Sequence, residues 1–154
     1  MKHLLFGVAA IALLSTAALA QDAMTTVKPN GVKWGPGPDF FEKGAQMAVL
    51  VGDPSKSGVY TLRVKMPAGY KIAPHMHPTT ENVTVISGTF NIAQGDKFDA
   101  KAGTALKAGG FVSLPAQMHH YAWATGPTVV QVHGEGPFAI TYVNPADDPR
   151  NKKK

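Results

Sequence analysis

Residues 69–88 read GYKIAPHMHPTTENVTVISG, with His75 and His77 one residue apart, Glu81 four residues further on, and a glycine at each end. In an extended strand successive side chains point to opposite faces, so His75 and His77 share a side and Met76 takes the other. Pro78-Thr79-Thr80 is turn chemistry, and the run ENVTVIS after it reads as a second strand in which Glu81 shares a face with Val83, Val85 and Ser87. A hairpin of these two strands would bring the carboxylate beside the imidazoles. Two neutral nitrogens and one anionic oxygen suit a borderline divalent cation, and a strand pair fixes them better than a loop. The competing reading is a solvated His-x-His next to an ordinary surface glutamate, and the wider spacing decides between the two.

Gly69, five residues, His75-x-His77, three residues, Glu81, six residues and Gly88 follow one another in an order that resembles the first motif of the cupin family at every defined position. The second motif of that family is a glycine, five residues, Pro-x-Gly, two residues and a histidine. Gly109, Pro115 and His120 occupy those places in GGFVSLPAQMHHYAW, residues 109–123. Only Gln117 departs, standing where the family has glycine. A position that needs positive φ strains any residue with a Cβ, so the turn there is where the resemblance is weakest. Strand alternation lets only one of His119 and His120 face inward, and the count from Pro115 selects His120.

The resemblance covers residues 27–148 and is nearest to small secreted single-domain cupins. It implies an all-β fold, a double-stranded β-helix (the cupin jelly-roll β-barrel), as a single domain. It implies a metal site of His75, His77, Glu81 and His120 holding one divalent transition metal, Fe, Mn, Ni, Cu or Zn. Activities in the family run from dioxygenation through isomerisation to none, and neither fold nor ligand set chooses among them.

The first 20 residues, MKHLLFGVAAIALLSTAALA, carry Lys2, an apolar run over residues 4–14, and small residues at Ala18 and Ala20. That pattern is a secretory signal peptide cut after Ala20, and the apolar run is short for a membrane span. A periplasmic or secreted protein is expected, with no membrane association after cleavage. The chain has no cysteine, so it has no disulfide and no thiol nucleophile, and the histidines must carry any metal chemistry. The net charge of +5 carries little information. Taking Lys2, Arg150, Lys152, Lys153 and Lys154 from the fifteen basic residues leaves ten, against ten acidic ones. The folded part is near neutral, and nucleic acid is not expected as a partner.

Residues 21–43 form an irregular, Gly- and Pro-rich lead-in packed down by Trp34, Phe40 and Phe41; its GPGP run lacks the Lys-Ser/Thr of a phosphate loop. Residues 44–145 form the barrel, and 146–154 a basic, flexible tail. AQMAVLVGD and GVYTLRVKMP read as strands, the second with Tyr60, Leu62, Val64 and Met66 on its buried face. TFNIAQ and KFDA read as a hairpin about Gly95-Asp96-Lys97. FVSLP, HYAWA, TVVQVHGE and FAITYVN follow, giving about ten short strands and no amphipathic helix outside the signal. Val83, Val85, Ala122 and Ala124 should line the interior, while Met76, Met118, Tyr121 and Trp123 pack away from the ligands. The Asn82-Val83-Thr84 acceptor pattern is read as coincidence in a strand.

Three functions remain open. The first is an extracytoplasmic metalloenzyme, dioxygenase-like or isomerase-like, acting on a small and mostly apolar organic molecule bound to the ion, with Glu81 as ligand or base. The second is a non-catalytic metal or small-ligand binding module, and the third a barrel that its metal only stiffens. A homodimer stays open. His133 and Gln131 share one face of their strand; if that face is interior, both stand just behind the ligands.

Overall fold

The computed structural model describes residues 23–152, so the expected signal peptide lies outside the described residues. Eleven strands run in chain order: β1 Gly35–Pro36, β2 Gln46–Val51, β3 Gly58–Met66, β4 Lys71–Met76, β5 Glu81–Ser87, β6 Thr89–Gln94, β7 Thr104–Lys107, β8 Phe111–Leu114, β9 His120–Ala124, β10 Thr128–Gly136 and β11 Thr141–Tyr142. They form two antiparallel sheets, β1-β2-β3-β10-β5-β8 and β11-β4-β9-β6-β7. The chain crosses between the sheets after β3, β4, β5, β7, β8, β9 and β10, which is the winding of a double-stranded β-helix.

Alternation along each strand builds the core. Tyr60, Leu62, Val64 and Met66 of β3, Val83 and Val85 of β5, Ala122 and Ala124 of β9, and Val130 and Val132 of β10 are all buried between the sheets. Burying a side chain such as Leu62 is worth about 1.5–3 kcal/mol, and the facing rows of aliphatic and aromatic side chains form one continuous core.

The crossing pattern changes one expectation. His75 on β4 and Glu81 on β5 do not belong to one hairpin, because β4 pairs with β9 and β11 while β5 pairs with β10 and β8. The Pro78-Thr79-Thr80 turn carries the chain from one sheet to the other, and its Thr79 hydroxyl donates to the Glu135 carbonyl at 2.7 Å. Glu81 therefore approaches the histidines from the opposite wall.

KFDA is not a strand. β6 pairs instead with β7, Phe90 opposite Leu106, and residues 95–103 fold over the outer face of the sheet. There Phe98 packs against Tyr121 and Trp123 at centroid distances of 5.1 and 5.3 Å, and the Tyr121 hydroxyl donates to the Asp99 carbonyl at 3.0 Å. Gly103 makes this closure possible, since a Cβ there would lie 2.1 Å from the Trp123 ring.

The lead-in is tied to the barrel. Lys65 Nζ sits 4.4 Å over the Trp34 ring, the Tyr142 hydroxyl donates to the Phe40 carbonyl at 2.7 Å, and the Tyr70 hydroxyl donates to that of Glu42 at 2.7 Å. The segment expected to be a flexible tail is also folded as far as it is described. Two 3-10 turns, Pro145–Asp147 and Pro149–Asn151, begin on Asn144 and Asp148, whose side chains accept backbone N–H groups. Arg150 then donates to the Ile140 carbonyl and Lys152 pairs with Glu42. No helix of the described residues is long and apolar enough to cross a membrane.

Candidate metal centre

His75 and His120 are direct cross-strand partners on the inner faces of β4 and β9, with ring centroids 4.2 Å apart. His77 follows one residue beyond β4 on the same side, 4.9 Å from His75 and 5.2 Å from His120 by centroid. One nitrogen from each ring can be chosen so that all three lie within 4.8 Å of one another. All three imidazoles are buried, as is Glu81 at the start of β5. Glu81 Oε2 lies 3.3 Å from His77 Nε2 and 3.7 Å from His120 Nε2.

Backbone carbonyls decide which nitrogen faces inward. Nδ1 of His75 donates to the Ala73 carbonyl at 2.7 Å, that of His77 to Ala139 at 2.8 Å, and that of His120 to Met118 at 2.9 Å. A carbonyl oxygen can only accept, so each Nδ1 carries a proton and each Nε2 presents its lone pair. The lone pairs of His77 and His120 then face a carboxylate oxygen, acceptor against acceptor. Only a cation relieves that arrangement. Although Glu81 Oε2 is within ion-pair distance, His77 Nε2 is buried with no hydrogen-bond partner in acceptable geometry. An orphaned ring nitrogen, two more imidazoles and one carboxylate fit a tetrahedral or more open transition-metal site.

Without metal, the proton is the cation. Burial pushes His77 down, but the Glu81 carboxylate outweighs it and holds this imidazole above its ordinary value. For Glu81 burial acts upward, and His77 and His120 overcome it, so the group stays anionic well below the usual carboxylate range. His75 lies further from the carboxylate influence; burial first, then the charges of His120 and His77, lower it to about 3. It is a neutral ligand at any physiological pH.

The centre opens onto a cavity of about 30 Å³ available to the centre of a water molecule, walled by Val64, Val83, Ile92, Val130, Phe41 and Phe138 among others. The Phe138 ring stacks on His77 at 5.2 Å and 16°, and Phe40 continues the aromatic series edge-on to Phe138 at 5.9 Å. Neither Phe138 nor the Ala139 carbonyl could be found from motif spacing, because both come from the segment between β10 and β11, about sixty residues beyond His77.

The other candidate residues fall outside. His119 points outward and pairs with Asp96 at 2.6 Å, while His120 faces in. Gln131 and His133 are not behind the ligands: Val130 and Val132 take the inner face of β10, so Gln131 and His133 lie on the outer one, where Gln131 accepts from Arg63 Nε at 3.2 Å. The inner positions of a strand flanked by β3 and β5 go to its valines, and the polar residues take the other face. Tyr121 and Trp123 stack outside, as their strand positions predict, whereas Met118 lies before β9 and packs against the apolar core. Gln117 is the one described non-glycine residue at positive φ, +63°; its N–H donates to the His77 carbonyl at 2.9 Å.

Comparison with known proteins agrees with this architecture. Residues 22–139 match the family described as the ChrR cupin-like domain. A putative acetylacetone dioxygenase from Methylibium petroleiphilum is 22% identical, with a TM-score of 0.65 over 86% of this chain and 89% of that one. The polyketide cyclase RemF from Streptomyces resistomycificus is 17% identical, with a TM-score of 0.67 over 82% and 90%. An acetylacetone dioxygenase from Acinetobacter johnsonii is 15% identical, with a TM-score of 0.62 over 90% and 88%. At such identities the likeness is one of fold. No curated protein matches the chain. The two motifs, the two-sheet winding and the match over most of its length make this chain a member of the cupin superfamily, in the family of ChrR cupin-like domains.

Proposed function

We propose that this chain is an extracytoplasmic metal-dependent cupin, an oxygenase or related oxidoreductase acting on a small, mostly apolar organic molecule that binds directly to the ion. The observation that carries the reading is the orientation of the three imidazoles: every Nδ1 is spent on a backbone carbonyl, and the Nε2 lone pairs of His77 and His120 face one carboxylate oxygen. His75, His77, His120 and Glu81 would hold one divalent transition metal, which supplies an electrophilic and redox-active centre. Glu81 would help to hold the ion or, as a base, take a proton from the substrate. Phe41, Phe138 and the valines of β5 and β10 keep water out and strengthen electrostatic interactions inside. Two of the similar structures are an acetylacetone dioxygenase and a putative one, whose named substrate is a small diketone. The signal-like residues 1–20 support the compartment.

The size of the cavity favours a second reading. About 30 Å³ has room for an ion's remaining ligands as one or two waters, less than a larger organic molecule occupies. A non-catalytic metal-binding module needs no larger space. Metal analysis of protein purified from its native compartment, followed by oxygen uptake with phenolic and keto compounds, separates the two. Turnover with any of them supports the enzyme; one bound metal with no oxygen consumption across the panel favours the module.

A further inference from the structure

The wall of the cavity beside the metal centre is uneven in one respect. Every residue that lines it is buried except Ile72 and Phe138, which are half-buried. A side chain that borders the cavity on one side and water on the other is where that wall is thinnest. The two lie at different distances from the ligands. Ile72 stands opposite Ala122, three residues before His75 on β4. Phe138 packs on a ring of the centre itself, its plane 16° from that of His77 and the centroids 5.2 Å apart.

The Phe138 ring is also fixed in place. Its other neighbours are Tyr60, at a centroid distance of 5.6 Å, and Phe40, edge-on at 5.9 Å. The backbone that carries it is tied at three successive residues: the Phe138 N–H donates to the Pro54 carbonyl at 2.7 Å, the Ala139 carbonyl accepts from His77 Nδ1 at 2.8 Å, and the Ile140 carbonyl accepts from Arg150 Nη2 at 3.2 Å. None of these bonds uses the Phe138 side chain. The ring can therefore be cut away while the carbonyl that orients His77 keeps its fastenings.

The chemistry of the lining says what such a wall selects. Apart from the three histidines and Glu81, every side chain around the cavity is apolar, so a ligand meets no hydrogen-bonding side chain outside the centre. Discrimination then acts on size and shape. The space of about 30 Å³ is that of one or two waters.

We propose that Phe138 is the specificity-determining residue of the metal centre, its ring setting the largest molecule that reaches the ion: diatomic and triatomic ligands enter, and ring-sized ones are turned away. The inference rests on the reading of His75, His77, Glu81 and His120 as metal ligands. It narrows the organic substrates of the proposed function to short, acyclic ones.

The test loads the full mature chain with Co²⁺ and titrates it with azide and with benzoate, two anions of equal charge and unequal size, reading the visible absorption of the bound ion. Azide should perturb the wild-type spectrum. Benzoate should bind Phe138→Ala at least about tenfold more tightly than the wild type, the lower end of what one misfitting group costs in an apolar pocket. Azide affinity should stay near the wild-type value in that variant, because a triatomic anion already fits. Phe138→Leu, which keeps an apolar side chain between Tyr60 and Phe40, should fall between the two and carries the comparison if the alanine variant does not fold. Ile72→Ala thins the other half-buried part of the wall and should gain no benzoate binding. Equal benzoate affinity in wild type and both Phe138 variants, an equal gain in Ile72→Ala, or exclusion of azide from the wild type overturns the inference while the bound Co²⁺ leaves the metal centre standing. Failure of the wild type to bind Co²⁺ overturns the metal centre, and the role of Phe138 with it.

Discussion

His119 and His120 are neighbours in the chain and opposites in chemistry. His120 faces into the barrel, spends its Nδ1 proton on a carbonyl and turns its Nε2 toward two more imidazoles and a buried carboxylate. His119 faces out and offers Nδ1 to Asp96 across a surface open to water. The inner wall presents histidine with its tautomer fixed in advance; the outer wall uses it as one half of an exposed hydrogen bond. A carbonyl partner makes a ring nitrogen available, whereas an exposed carboxylate partner only adds a weak contact.

The largest effect that would break this contrast is loss of a ring from the inner wall. His75→Ala should lower metal affinity by more than about a hundredfold, beyond what an outer hydrogen-bond partner contributes, and chelator competition measures it. The fold should survive, because the valine and leucine rows do not depend on the ion.

Acid should expose the same wall. His75 is held at about 3 in the metal-free fold against an ordinary 6.5, so between those values the unfolded chain takes up a proton that the folded one refuses. Stability from this group is complete above 6.5 and is lost as pH falls toward 3, by an amount on the order of a few kcal/mol. Glu81, also depressed, adds to the loss below its ordinary 4.5. His77 runs the other way: its raised value stabilises the metal-free fold below 6.5, and that contribution fades as pH rises above it. Urea titrations of metal-free protein from pH 7 to about 4 should show falling stability, with a shallower slope in His75→Gln. Equal slopes would contradict the assignment.

A smaller effect belongs to the turn that delivers His120. Gln117 holds a φ of +63°, where glycine is unstrained, and Gln117→Gly should raise stability by up to about 1 kcal/mol with metal affinity kept. Thermal melting decides it. The smallest belongs to the outer wall, where His133→Ala should change stability by no more than about 0.5 kcal/mol and leave metal binding alone.

Much of this was legible in the chain. Period-two alternation gave the inner rows, and the spacing from Gly69 to Gly88 and from Gly109 to His120 named the four residues that converge. Two of the three tautomer-fixing carbonyls are local, Ala73 and Met118, each two residues before its histidine. What was hidden depends on which sheet a strand joins. The hairpin expected for β4 and β5 is a crossing between sheets, because local pattern specifies a strand and not its partner. The same limit concealed the Phe138 stack and the Ala139 carbonyl, both contacts between residues distant in sequence. Gln131 and His133 were misplaced for a related reason: a strand with valines on both faces, Val129 on one and Val130 and Val132 on the other, does not say which face is inside until its neighbours are known.

The central claim is that the inner histidines hold a metal and the outer ones do not. Metal content per chain, measured on wild type, His119→Ala and His120→Ala purified from the native compartment under identical conditions, tests it most directly. One transition-metal ion per chain in the wild type and in His119→Ala, with an empty His120→Ala that still folds, is the predicted result. Full occupancy in His120→Ala, or loss of the ion in His119→Ala alone, would contradict it.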